Sequence, residues 1–174
     1  MMRRGFTIVE LAITITIMGI LLTLAVVNLN GTQANARDAE RKGDVEAIAL
    51  NLENFYVNLN PDIPMSGGSY LGLDFMTDSD ITTYLPDIDP KSIHAPDISL
   101  GDPMSIVVAT NANTTTTGVT PQPSSTNDVY VYQPLTGTGT LCASRITNGD
   151  CRRFNIYYFQ ETDNQVHKLT SKRQ

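Results

Sequence analysis

The stretch FTIVELAITITIMGILLTLAVV, residues 6–27, holds a single ionisable side chain, Glu10. As a helix it spans roughly 33 Å at about 1.5 Å per residue, close to the hydrocarbon thickness of a bilayer. Its β-branched residues are no obstacle, because lipid offers the backbone no partner and a helix pairs its own groups. The residues before it, Met1-Met2-Arg3-Arg4-Gly5, are short and basic. Two arginines on that side orient the span with its N-terminus in the cytoplasm. A carboxylate inside such a span costs about 2.5–3.5 kcal/mol on insertion scales, so Glu10 is expected to have a partner. The plainer alternative is that Glu10, near the membrane edge, snorkels to the headgroups.

The helix is expected to run on past the apolar stretch. Val45, Ile48, Leu52, Phe55 and Leu59 recur at spacings of three and four and form one stripe. Arg37, Asp38, Glu40, Arg41, Asp44, Glu46 and Glu53 cover the other faces. Asp38 can pair with Arg41 or Lys42 at helical spacing. Asn30-Gly31 is the weak point between the halves, since glycine in a helix costs about 1 kcal/mol relative to alanine. Asn60-Pro61 is the expected stop.

Residues 61–103 are rich in Pro, Gly, Asp and Ser and read as an irregular connection, with short elements near residues 70–75 and 81–85. Residues 104–110 are a candidate strand. NANTTTTGVTPQPSSTN, residues 111–127, reads as an exposed, mobile loop. Residues 128–133 and 153–161 alternate like strands, and a turn at 162–165 leads into a returning strand at 166–171. Phe154, Ile156 and Tyr158 fall on one face, Tyr157 and Phe159 on the other. One face is expected to pack on the helix stripe and the other to meet solvent or a neighbour.

The 174 residues carry a net charge of −6 and 41% apolar residues. That composition suits a folded domain and argues against bulk nucleic-acid binding. Cys142 and Cys151 suit a disulfide if the domain is exported, with buried free thiols the alternative. No Ser/His/Asp arrangement, phosphate loop or metal-ligand cluster is apparent, so no enzyme activity and no cofactor are expected. Asp74, Asp78, Asp80, Asp87 and Asp89 offer oxygens to Ca²⁺, but without EF-hand spacing no metal is expected. His94 and His167 read as surface residues. Arg152, Arg153, Lys168, Lys172 and Arg173 could touch DNA or a host surface, but a solvated sheet edge is the simpler reading.

The run Arg3-Arg4-Gly5-Phe6-Thr7-Ile8-Val9-Glu10 resembles the processing motif of type IV prepilins and pseudopilins. The resemblance implies cleavage by a prepilin peptidase between Gly5 and Phe6, followed by N-methylation of Phe6. It makes Glu10 the fifth residue of the mature chain, where the family keeps a glutamate that meets the N-terminal amine of a neighbouring subunit. Gly19 also matches a glycine of many members, whereas Val27 stands where many have proline. In the assembled family the glycine-to-proline stretch often melts, and Asn28 to Gly31 is the candidate break here. Leu85-Pro86-Asp87-Ile88-Asp89-Pro90 resembles a Leu-Pro-x-Asp-Pro element of pilins and pseudopilins. Its plain reading is a turn with prolines fixing φ.

The resemblance implies an α+β type IV pilin fold, with a long N-terminal helix, apolar then amphipathic, packed on a C-terminal antiparallel β-sheet. It divides the chain into a removable leader (1–5), a membrane and filament-core half-helix (6–27), an amphipathic half (28–60), a connecting region (61–127) and a sheet with a disulfide loop (128–174). The implied role is a pilus subunit for adhesion, twitching motility or DNA uptake, with a secretion or competence pseudopilin as alternative. The implied partners are other copies or minor pilins, the prepilin peptidase, an assembly ATPase, a platform protein and the membrane before assembly. A secreted protein cleaved after Ala34-Asn35-Ala36 and a plain membrane-anchored module remain as other classes, but neither explains Gly5 or Glu10.

Overall fold

A computed structural model describes residues 6–58, 67–75, 78–143 and 151–173. The leader with Gly5, the residues around Asn60-Pro61, and Leu59 lie outside the described residues. A single helix, α1, runs unbroken from Ile8–Val57. It passes straight through Asn30-Gly31, so the expected weak point is helical in the free chain. Ala34-Asn35-Ala36 lies inside it as well.

The two halves of α1 differ because their side chains do. From Phe6 to Val26 every residue is exposed. The hydroxyls of Thr14, Thr16 and Thr23 bond back to the carbonyls of Leu11, Ala12 and Ile20, each at 2.8 Å, so the helix satisfies its own polar groups. Further along, Val45, Ile48, Ala49, Leu52 and Phe55 are buried, as the stripe requires. They pack on Tyr70, Tyr130, Tyr132, Phe154, Ile156 and Tyr158. Each fully buried aliphatic side chain contributes about 1.5–3 kcal/mol, which fixes α1 to the sheet.

A 3₁₀ turn (Leu73–Phe75), a short helix α2 (Asp78–Tyr84) and a second 3₁₀ turn (Pro90–Ile93) follow. Leu85-Pro86-Asp87-Ile88 closes a turn through the Ile88 amide and Leu85 carbonyl at 3.1 Å. Asp89 then caps the second 3₁₀ turn. The sheet is four-stranded in the order β1 (Ile106–Val108), β2 (Tyr130–Thr136), β3 (Cys151–Gln160), β4 (Gln165–Thr170).

The C-terminal part of the sheet is antiparallel, as expected, and the first strand adds a parallel neighbour. β2–β3 and β3–β4 are antiparallel, but β1 runs parallel to β2. Parallel neighbours need a long crossover, and residues 109–129 supply it. That crossover contains the Thr-rich segment, which is largely exposed and without helix or strand, as expected, but is tied to the sheet at specific points. Val119 is buried with Ala109, Val131 and Tyr157 in a second core on the face away from α1. Gln133 staples the segment down. Its amide nitrogen donates to the carbonyls of Asn111 (2.8 Å) and Asn113 (3.0 Å). Its amide oxygen accepts from Asn155 (2.8 Å) and Tyr157 (3.0 Å). The sheet face that was to meet solvent or a neighbour is therefore covered by the chain itself.

Cys142 and Cys151 form a disulfide. Residues 69–74 lie across it: the Tyr70 amide donates to the Cys151 carbonyl at 2.8 Å and the Leu73 amide to that of Cys142 at 3.2 Å. His94 also departs from its reading as a surface residue. It is 8% exposed, with its ring nitrogens 2.8 Å from the Pro90 carbonyl and 3.2 Å from that of Asp102.

Candidate assembly site

The N-terminal end of α1 gathers the residues singled out by the processing motif. Phe6 is 82% exposed and precedes Thr7, the N-cap. Thr7 and Glu10 form a capping box. The Glu10 amide donates to the Thr7 hydroxyl at 3.2 Å, and the Thr7 amide and hydroxyl donate to Glu10 Oε2 at 3.0 and 2.7 Å. Two orphan groups at the helix start are thereby satisfied, and the carboxylate is held at the tip of the helix. The processing motif includes Thr7 but does not assign it this capping role, although Thr-x-x-Glu before an apolar run is a visible capping-box signal. The carboxylate also sits where the positive end of the helix dipole favours an anion. Gly19 lies mid-helix with open space where a Cβ would stand.

At the other end of the exposed half, a charged cluster ties α1 to the head. Arg41 reaches Asp38 at 3.1 Å, Asp128 at 2.7 Å and Glu161 at 2.7 Å. Arg37 clamps Glu161 through two bonds of 2.9 and 2.6 Å. Asp38 accepts from the amides of Glu161 (2.8 Å) and Thr162 (2.9 Å), so it also fixes the β3–β4 turn. The Arg37 guanidinium, with help from Arg41, holds the Glu161 carboxyl down at about 2. Burial opposes ionisation of Asp38, but those amides and Arg41 outweigh it and lower its pKa. The helical pair Asp38–Arg41 was legible from its spacing. Asp128 and Glu161 were not, because they join it only through the fold.

A third polar contact lies one turn on. Tyr130 donates to Asp44 at 2.8 Å. Burial pushes the Asp44 carboxyl up to about 6, only partly offset by that hydrogen bond. Among the described residues no group of three or more His, Cys, Asp or Glu side chains is placed to hold a metal ion. The side chains of Asp78 and Asp80 lie outside that description.

The helix is long and apolar enough to cross a membrane, by length and composition. That fits anchoring in a membrane before assembly. Residues 1–26 match the family described as the prokaryotic N-terminal methylation motif. No curated protein and no solved structure shows a significant match to the chain. The motif points to a structural, non-enzymatic kind of protein. The chain thus carries the signature of type IV pilins and pseudopilins at its N-terminus, on a long helix and α+β head whose layout fits the type IV pilin fold.

Proposed function

We propose that the protein is a subunit of a type IV pilus, polymerising through its N-terminal helix into an extracellular filament. The observation that carries this reading is Gly5-Phe6 followed by a capped, exposed Glu10, at the tip of a helix with no buried residue from Phe6 to Val26. Such a helix needs an apolar partner along its whole length, first lipid and then other copies of itself. A prepilin peptidase removes residues 1–5 and methylates Phe6. In the filament, the Glu10 carboxylate of one subunit meets the Phe6 amine of the next. Pairing removes an uncompensated charge from an apolar core and sets the axial register. An assembly ATPase and a platform protein supply the work of extraction.

The pseudopilin alternative shares this chemistry and differs in the length and place of the filament. An aromatic sheet face open to neighbours would favour a pilus, but here the second face is covered. The remaining support is the exposed Thr-rich rim at residues 112–115.

Mass spectrometry of the mature chain tests the processing step: a methylated Phe6 N-terminus is expected, and an intact Met1 refutes it. Electron microscopy of sheared surface material separates long fibres from their absence. Glu10→Ala is expected to insert and be processed normally while cutting filament yield at least tenfold. Undiminished yield from that variant removes the pairing step.

A further inference from the structure

The head has two unlike lateral edges. β4 ends the sheet on one side. Beside it a groove of about 380 Å³ runs between β4 and the outer face of α1. Ala49, Leu50, Phe154 and Leu169 give it apolar walls, and Leu50 is 54% exposed. Glu46, Glu53 and Lys172 also line it. Glu53 is already engaged, whereas Glu46 is exposed and has only a distant cation. Glu46 faces Lys42 at 4.0 Å, while Glu53 takes the Lys172 amide at 2.8 Å and the Arg173 guanidinium at 3.7 Å. The exposed Lys172 ammonium has no carboxylate partner among the described residues.

The opposite edge belongs to β1 and the chain leading into it. There Asp97-Ile98-Ser99-Leu100-Gly101-Asp102 forms a turn closed by Ile98 amide to Ala95 carbonyl (3.1 Å) and Asp102 amide to Ser99 carbonyl (2.9 Å). Leu100 is 64% exposed and Ile98 37%, with exposed Asp97 and Asp102 on either side. His94 braces the turn from beneath through the Asp102 carbonyl. A braced turn loses little conformational freedom on docking.

We propose that this turn docks into the α1–β4 groove of a second copy, with Leu100 filling the groove and the flanking aspartates meeting the Lys172 ammonium. The inference rests on the assembly reading above and deepens it by naming the contact between heads. The two surfaces are unlike and lie on opposite edges, so the contact is heterologous. A pair keeps one free groove on one copy and one free turn on the other, and such a contact propagates into an open helical array. The charge pairing fixes which way the copies face.

The chain's two cysteines are joined to each other, so introduced thiols report cleanly. Full-length Leu50→Cys and Leu100→Cys copies, carrying different tags, are co-expressed and oxidised in cells. Both positions are exposed, so neither substitution threatens folding. A disulfide-linked heterodimer is expected only when both variants are present. Asp97→Lys with Asp102→Lys is expected to reduce it roughly tenfold or more, and Lys172→Glu to restore part of the loss. No heterodimer, an equal yield of Leu50→Cys homodimer, or indifference to charge reversal overturns the contact. The N-terminus of the same sample separates the two readings. A Phe6 N-terminus without heterodimer rejects the contact alone. Heterodimer with Met1 retained rejects the filament reading alone, and the absence of both rejects both.

Discussion

Single residues divide into those that hold the helix tip and those that hold the head. Thr7 belongs to the first group. Thr7→Ala removes the N-cap, at about 1 kcal/mol, and frees the Glu10 carboxylate to swing. Filament yield is expected to fall, but less than in Glu10→Ala, as counted by shearing and gel densitometry. Asp44 and Glu161 belong to the second group and act in opposite pH windows. The Asp44 carboxyl is raised from 3.8 to about 6, so the folded state binds the proton more tightly than the unfolded state. Its contribution is present at low pH and is lost as pH rises from about 4 to about 6. The Glu161 carboxyl is lowered from 4.5 to about 2, so its contribution is present above pH 4.5 and is lost as pH falls toward 2. Denaturant titrations across pH check both: Asp44→Asn flattens the first slope, and Glu161→Gln the second. An Asp44→Asn profile identical to that of the parent contradicts the assignment.

At the level of elements, the crossover between β1 and β2 depends on one buried amide. Gln133 uses both donors and its acceptor oxygen on residues 20 to 24 positions away. Gln133→Leu keeps the volume but leaves the Tyr157 hydroxyl, the Asn155 amide and two loop carbonyls without that partner. A destabilisation of about 2–4 kcal/mol is expected, from roughly 1–3 kcal/mol for each group left buried and unsatisfied, with partial relief by water. Hydrogen exchange should show the loss concentrated at the Thr110 amide, which donates to the Thr120 carbonyl at 2.7 Å. The element types were mostly legible: the stripe on α1, the alternation in β3 and the return of β4 all follow local periodicity. The direction of β1 was not, because alternation marks a strand and says nothing about its neighbour. The Thr-rich composition pointed to a loose loop, since its anchors Val119 and Gln133 carry no local periodic signal.

For the molecule as a whole, the exposed half-helix and the head are separable. Nothing between Phe6 and Val26 is buried, and the core of α1 begins with the Arg37–Arg41 cluster and the stripe after it. A chain beginning at Asn28 is expected to be soluble without detergent and to keep the head's melting temperature within a few degrees. Circular dichroism before and after the truncation measures this, and a collapse of the transition would show that the apolar half supports the head. The apolar stretch, the processing motif with Glu10 and the amphipathic stripe were legible along the chain alone. Each is written in residues that are neighbours along the chain or along one helix face, where composition and spacing suffice. The partners of Arg41, the parallel entry of β1, the covered second face of the sheet and the burial of His94 emerge only in the folded chain. These depend on groups brought together across long separations, as Arg37 is with Glu161 over 124 positions. Which distant carboxylate meets which guanidinium is settled by packing, because charge and hydrogen-bonding capacity are not periodic in sequence.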